Sequence, residues 1–263
     1  MLLAIDIGNT NITLGVFQGD SLKATWRLAT DPRRMPDEYG MTILNLLPVR
    51  GISPSDIDAV VVCSVVPTIT QAFTELSQSF FNDTPLLVGA GVHTGIKILY
   101  DNPRDVGADR VVDAAAAFSL YGGPCIVVDF GTGTVFDAVS ANAEYLGGAI
   151  APGLQLAADS LFSSSSLLRR IELTAPDTAI GKNTTQALQS GLVLGNVDLV
   201  EGMVKRFKRE LGENAKVIAT GGLAPMIARE TSVFDVVNLD LTLVGLQMIY
   251  QMNVDGPSKE GRA

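Results

Sequence analysis

Cysteine and histidine are nearly missing from this chain: two Cys and one His stand among 263 residues. That excludes a disulfide framework and a Cys/His zinc site. Cys63 and Cys125 each lie beside a β-branched run, Val60-Val61-Val62 and Ile126-Val127-Val128, where a thiol behaves as a small buried hydrophobe. The lone His93, between Val92 and Thr94, reads as a surface loop residue. Charge is sparse, at 18% of residues against 47% hydrophobic, a balance that excludes a disordered or fibrous chain. Basic residues are outnumbered, 19 Lys and Arg against 28 Asp and Glu, for a formal charge of -9. Such a surface repels phosphate backbones and anionic lipid, so neither nucleic acid nor a membrane is expected as a partner. No stretch approaches the ~18 uninterrupted apolar residues of a membrane span. The N-terminus reaches Asp6 without a basic leader, from which a cytoplasmic protein is expected. No Walker-type Gly-x-x-x-x-Gly-Lys-Ser/Thr occurs, which argues against a P-loop kinase.

What is present is a sentence written twice. Asp6-Ile7-Gly8-Asn9-Thr10-Asn11 is echoed by Asp129-Phe130-Gly131-Thr132-Gly133-Thr134, with Asp and Gly both displaced by 123 residues. The flanks repeat too: an apolar strand leads into each hexad, and two further strands follow it, so each copy reads as a three-stranded meander. Later in each half a buried-type strand runs into small residues, Ala59 to Ser64 and Lys216 to Gly222, with Pro67 and Pro225 as helix-start signals. Helices are expected over 37–47, 69–81, 106–120, 184–211 and 243–252. Two similar α/β domains facing each other across a cleft follow, residues 1–120 and 121–263, with a fraying tail past Asn253.

A carboxylate at a strand end, followed by Gly and hydroxyl residues, offers backbone N–H groups to phosphate and an anion to a cation. Two such turns at one offset resemble the nucleotide-binding superfamily of actin, sugar and acetate kinases and heat-shock ATPases. The resemblance implies two ribonuclease-H-like (actin-like ATPase) domains, each with a mixed five-stranded sheet, flanking a central cleft. It also places adenosine against Gly221 and Gly222.

Three further stretches narrow the resemblance: Tyr100 to Arg110 with its Gly107-Ala108-Asp109-Arg110 tetrad, Gly147-Gly148-Ala149-Ile150-Ala151-Pro152-Gly153, and Ile180-Gly181-Lys182-Asn183-Thr184-Thr185. With the two hexads they resemble type III pantothenate kinase over nearly the whole chain. Asp109 and Arg110 fall near a helix start, where free N–H groups favour an anionic ligand and a guanidinium suits a carboxylate. The resemblance makes Asp109 the base that orients the pantothenate hydroxyl, with Tyr100, Gly107, Ala108, Arg110 and Thr184 also at the substrate. It assigns ATP to Asp6, Gly8, Asn9, Thr10, Asn11, Gly131, Thr132, Gly133, Gly221 and Gly222. It implies Mg²⁺ near Asp6, held indirectly, and a monovalent cation, K⁺ or NH4⁺, on Asp129. It also implies a homodimer in which Thr184 reaches the neighbour's pocket, although Thr184 or Asn183 would serve locally as a helix cap. The chain departs from the family pattern at Gly133, where Ala is common, and at Val135, where Thr is usual. Two alternatives stay open: a regulatory ATP-binding protein of the Bvg accessory factor type, and a kinase of the same superfamily for another small alcohol or acid.

Overall fold

The computed structural model describes residues 1–165 and 168–254; the expected fraying tail, 255–263, lies outside the described residues. Strands β1 (Leu2–Ile7), β2 (Asn11–Gln18) and β3 (Ser21–Ala29) lead to helix α1 (Pro36–Leu46). Next come β4 (Ala59–Ser64), α2 (Pro67–Phe81), β5 (Leu86–Leu87), β6 (Lys97–Ile98) and α3 (Ala108–Tyr121). The meander returns as β7 (Cys125–Phe130), β8 (Gly133–Val139) and β9 (Glu144–Pro152), followed by α4 (Leu154–Ser164). A long helical run comprises α5 (Thr184–Gln189), a π turn (Ser190–Leu194) and α6 (Gly195–Leu211). β10 (Lys216–Thr220), α7 (Ala224–Ile227), β11 (Val236–Val237) and α8 (Leu241–Val254) close the chain.

The chain divides into two compact units. The first holds Met1–Ile96, Asn102–Ala116 and the described part of Leu241–Ala263; the second holds Lys97–Asp101 and Ala117–Asp240. This differs from a single break at 120/121, because α8 returns to the first unit. The reason is apolar: Leu243, Leu246 and Ile249 of α8 share one buried cluster with Leu2, Ala4, Phe17, Val61 and Cys63.

In the first unit the strand order is β3-β2-β1-β4-β5. β1 is antiparallel to β2 and parallel to β4. Both faces of the sheet are covered, and the period-2 alternation of the strands divides their side chains between two clusters. Leu3, Ile5, Ile7, Val60 and Val62 face Tyr39, Ile43, Phe73 and Leu76 of α1 and α2. Leu2, Ala4, Ala59, Val61 and Cys63 face α8 and the Val112 and Ala115 positions of α3. Pro at the first turn starts both α1 and α2, where its missing N–H leaves no helical bond unmade.

The second unit repeats the plan with order β11-β10-β7-β8-β9-β6 among the described residues. Its sheet therefore has six strands rather than the expected five. The addition is β6, a two-residue edge strand parallel to β9. Ile126, Val128, Phe130, Phe136 and Val217 form its core with Leu154, Ala158, Val193, Val197 and Val200 of the helices.

Candidate active site

In the first unit, Asp6 is the second-last residue of β1, just ahead of an exposed turn. Asp6 is half-buried and lies in register between Thr13 of β2 and Cys63 of β4. Beyond it Asn9, Thr10 and Asn11 are exposed. The Gly8 N–H donates to Asn11 O at 3.0 Å, which closes the chain into a tight bend and leaves the intervening N–H groups at its tip.

Asp109 and Arg110 occupy the first turn of α3, as the tetrad predicts. Asp109 is half-buried, and its Oδ1 accepts the backbone N–H of Arg110 at 2.8 Å. Burial pushes the Asp109 carboxyl above its ordinary range, while that N–H and the Arg110 guanidinium pull the other way. Gly107 lies against it: a Cβ there would stand 2.5 Å from Asp109 Oδ1, so a side chain at 107 would push the carboxylate aside. Asp6 and Asp109, far apart in sequence, share a neighbourhood at the carboxyl ends of β1 and β4. Burial pushes the Cys63 thiol well up, and the charges of Asp6, Asp109 and Asp113 add to that. Asp113, one helical turn beyond Asp109 and 4% exposed, is a member of this cluster that sequence reasoning missed. Its signal was the four-residue spacing from Asp109, which puts both on one helix face.

In the second unit Asp129 is the second-last residue of β7, the matching place, half-buried, in register with Val135 of β8 and Thr220 of β10. Gly131 and Thr132 are exposed after it. Gly221, with φ +88°, lies directly over this turn: a Cβ would collide with Asp129 Oδ1 and stand 2.7 Å from the Phe130 backbone. Three sequence-predicted positions, 129, 131 and 221, are thereby brought together. Gly133 also fits its place, since a Cβ would come within 3.3 Å of Ala151 O. Tyr100 is half-buried beside Tyr145, ring centroids 6.2 Å apart, and covers Gly147. At the start of α5 Asn183 is the cap, its Oδ1 accepting from Gln186 N–H at 2.9 Å, and Thr184 is left exposed.

Among the described residues no group of three or more His, Cys, Asp or Glu is arranged to hold a metal. The donors at each turn are a single strand-end carboxylate with hydroxyl and backbone oxygens nearby. That set suits a hard cation whose remaining ligands come from phosphate and water. His93 is exposed, and its backbone N–H and C=O are both bonded by the Asn253 side chain.

The family model for type III pantothenate kinase matches residues 2–206. The type III pantothenate kinase of Dehalococcoides mccartyi is 50% identical over 252 residues, covering 96% of this chain and 96% of that protein. The enzyme of the same name from Moorella thermoacetica is 50% identical over 253 residues, 96% of this chain and 100% of its own. Among solved structures, the Campylobacter jejuni protein described as a Baf family transcriptional activator superposes with a TM-score of 0.63 at 18% identity, covering 96% of this chain and 99% of that one. The Sinorhizobium meliloti protein described as a 2-dehydro-3-deoxygalactonokinase gives 0.52 at 13% identity over 100% of both chains. These last two likenesses concern the fold.

Proposed function

The chain belongs to the type III pantothenate kinase family, and from that premise we propose how its residues carry out the family's reaction. That reaction transfers the γ-phosphoryl group of ATP to the primary hydroxyl of pantothenate, giving 4′-phosphopantothenate on the way to coenzyme A. Asp109 is the base. As the new O–P bond forms and the bond to the bridging oxygen of ADP breaks, the hydroxyl proton passes to the Asp109 carboxylate. The observation that carries this assignment is a half-buried carboxylate on the first turn of α3, its acidity weakened by burial and its orientation held by the Arg110 N–H. A carboxylate so placed is a stronger base than an exposed one. Arg110, with the N–H groups of the same helix start, takes the carboxylate of pantothenate, and Gly107, Ala108 and Tyr100 line its path.

ATP phosphates are taken by Asn9, Thr10 and Asn11 after Gly8, and by Thr132 between Gly131 and Gly133, while Gly221 and Gly222 let adenosine lie against the backbone. Asp6 would stand near Mg²⁺, and Asp129 would hold K⁺ or NH4⁺. Such ions, when bound, neutralise charge on the triphosphate. Thr184, left exposed because Asn183 caps α5, reaches the pantothenate of a neighbouring subunit, so the working form is a homodimer. The enzyme acts in the cytoplasm.

A coupled assay of ADP release, run with pantothenate and with or without K⁺, tests this reading. Wild type turns over with pantothenate and needs the cation. Asp109→Asn loses turnover by a factor on the order of a hundred or more while ATP affinity by calorimetry stays near wild type. Near-normal turnover in Asp109→Asn would remove Asp109 from the base role. Absence of any pantothenate-dependent ADP would return the regulatory alternative.

A further inference from the structure

The first phosphate-facing turn is held from outside, by the residue that follows β3. Thr30 donates its Oγ1 hydroxyl to Gly8 O at 2.7 Å and its backbone N–H to Thr10 O at 3.1 Å. One half-buried residue therefore grips both ends of the bend. In a trans peptide the C=O of one residue and the N–H of the next point in opposite directions. Drawing the Gly8 carbonyl toward Thr30 therefore aims the Asn9 N–H away from β3, on the exposed side of the turn. Were that carbonyl released, the plane could swing and present an acceptor where an anion needs a donor.

Thr30 is itself anchored to the core. The backbone N–H of the next residue, Asp31, donates to Tyr39 Oη at 2.9 Å, and Tyr39 Oη donates to Asp31 O at 3.0 Å. Tyr39 is fully buried, its ring centroid 5.0 Å from that of Phe73. Arg33 adds a bidentate grip on the Asp31 carboxylate, from Nε and Nη2 at 3.0 Å each. A chain of fixed contacts thus runs from the core through Tyr39, Asp31 and Thr30 to the turn.

The internal repeat supplies the comparison. The displacement of 123 residues that carries Gly8 onto Gly131 carries Thr30 onto Gly153. There the backbone N–H of Gly153 donates to Thr132 O at 3.2 Å, and a Cβ would strike Thr132 O and stand 2.8 Å from Gly131 O. The second turn is held by backbone lying against backbone, with no room for a side chain. The first is held by a hydroxyl together with a backbone N–H.

We infer that Thr30 is a positioning residue for the kinase reaction, a latch whose hydroxyl orients the peptide planes of the 8–10 turn so that their N–H groups meet the ATP phosphates. The inference rests on the reading that this turn binds ATP, so its test carries a variant of the turn itself.

Thr30→Val removes the hydroxyl and keeps the shape, Thr30→Ser keeps the hydroxyl, and a Thr10→Ala/Asn11→Ala double variant removes two of the turn's own polar side chains. For each, ATP affinity is measured by calorimetry without pantothenate, alongside KM for each substrate, kcat and melting temperature. Thr30→Val is expected to weaken ATP binding about threefold to tenfold, the range of one net hydrogen bond. Its pantothenate KM stays unchanged, and Thr30→Ser stays at wild type. Wild-type ATP affinity in Thr30→Val, with affinity lost in the double variant, would overturn the latch and leave the turn's role standing. Wild-type ATP affinity in Thr30→Val and in the double variant alike would overturn the turn's role and the latch with it. Parallel loss of both substrates and of melting temperature, in Val and Ser alike, would reduce Thr30 to a structural residue.

Discussion

Asp109 is a residue on which burial and its neighbours pull in opposite directions. Burial lifts its carboxyl above the ordinary value, and the Arg110 N–H and guanidinium draw it back. A carboxyl whose folded pKa lies above the unfolded one favours the fold most at pH below the unfolded value. That contribution is lost as pH rises through the folded value. Asp109→Asn, which keeps the shape without the charge, should therefore melt higher than wild type at neutral pH, the two converging near about pH 3. Calorimetry across pH checks this, and an Asn variant that melts lower than wild type at neutral pH would show the neighbours winning over burial. Asp6, Asp109 and Asp129 could be proposed from the sequence because each lies two residues from a glycine at a break in an apolar pattern. Asp113 was harder to read, because its four-residue spacing from Asp109 falls inside the run Val111-Val112-Asp113-Ala114, which looks like any core-facing helix; the fold shows it 4% exposed among other acids. The cap of α5 could not be chosen between neighbours Asn183 and Thr184 until the Gln186 bond was seen.

The elements that carry Asp109 are set by contacts distant in sequence. α8 approaches α3 at Gly245, where a Cβ would stand 2.7 Å from both Val112 Cγ1 and Val112 O. Because one of those atoms is backbone, relief requires a helix to move. Gly245→Ala should destabilise the first unit by about 1–3 kcal/mol, as overpacking does, read as a lower urea midpoint at unchanged slope. An unchanged midpoint would mean that α8 has slack there. The meanders were readable because alternation and glycine-rich turns are local signals. α4 was not, since it starts directly after Pro152-Gly153, a pair that reads as a break and proves to be a strand end and a helix cap. β6 is two residues long, too short for any period to register. The helix expected over 184–211 is present, but with a π turn at Ser190–Leu194 that hydrophobic spacing did not reveal.

For the whole molecule, duplication was readable and its assembly was not. The domain limits drawn from the repeat misplace α8, because a closing helix carries no mark of which sheet it covers; its contacts with Leu2, Ala4 and Val61 decide that. The proposed composite pocket gives a test at this scale. Asp109→Asn and Thr184→Glu homodimers are each expected to be inactive, and mixed after dissociation they should regain activity. Random pairing restores roughly a quarter of the pockets, since each heterodimer has one pocket with both lesions and one with neither. No recovery in verified heterodimers would confine Thr184 to its own subunit. The two thiols lend themselves to a different use. Cys63 on β4 and Cys125 on β7 are both wholly enclosed, one in an interior strand of each unit's sheet. Burial is the main force that drives Cys63 well up and Cys125 to about 12. Neither offers a thiolate while its sheet is closed, so an alkylating reagent can mark each only when its own strand is laid bare. Nature has thus installed one silent tag per lobe, and the order in which iodoacetamide finds them would time the opening of the lobes separately, without an added probe.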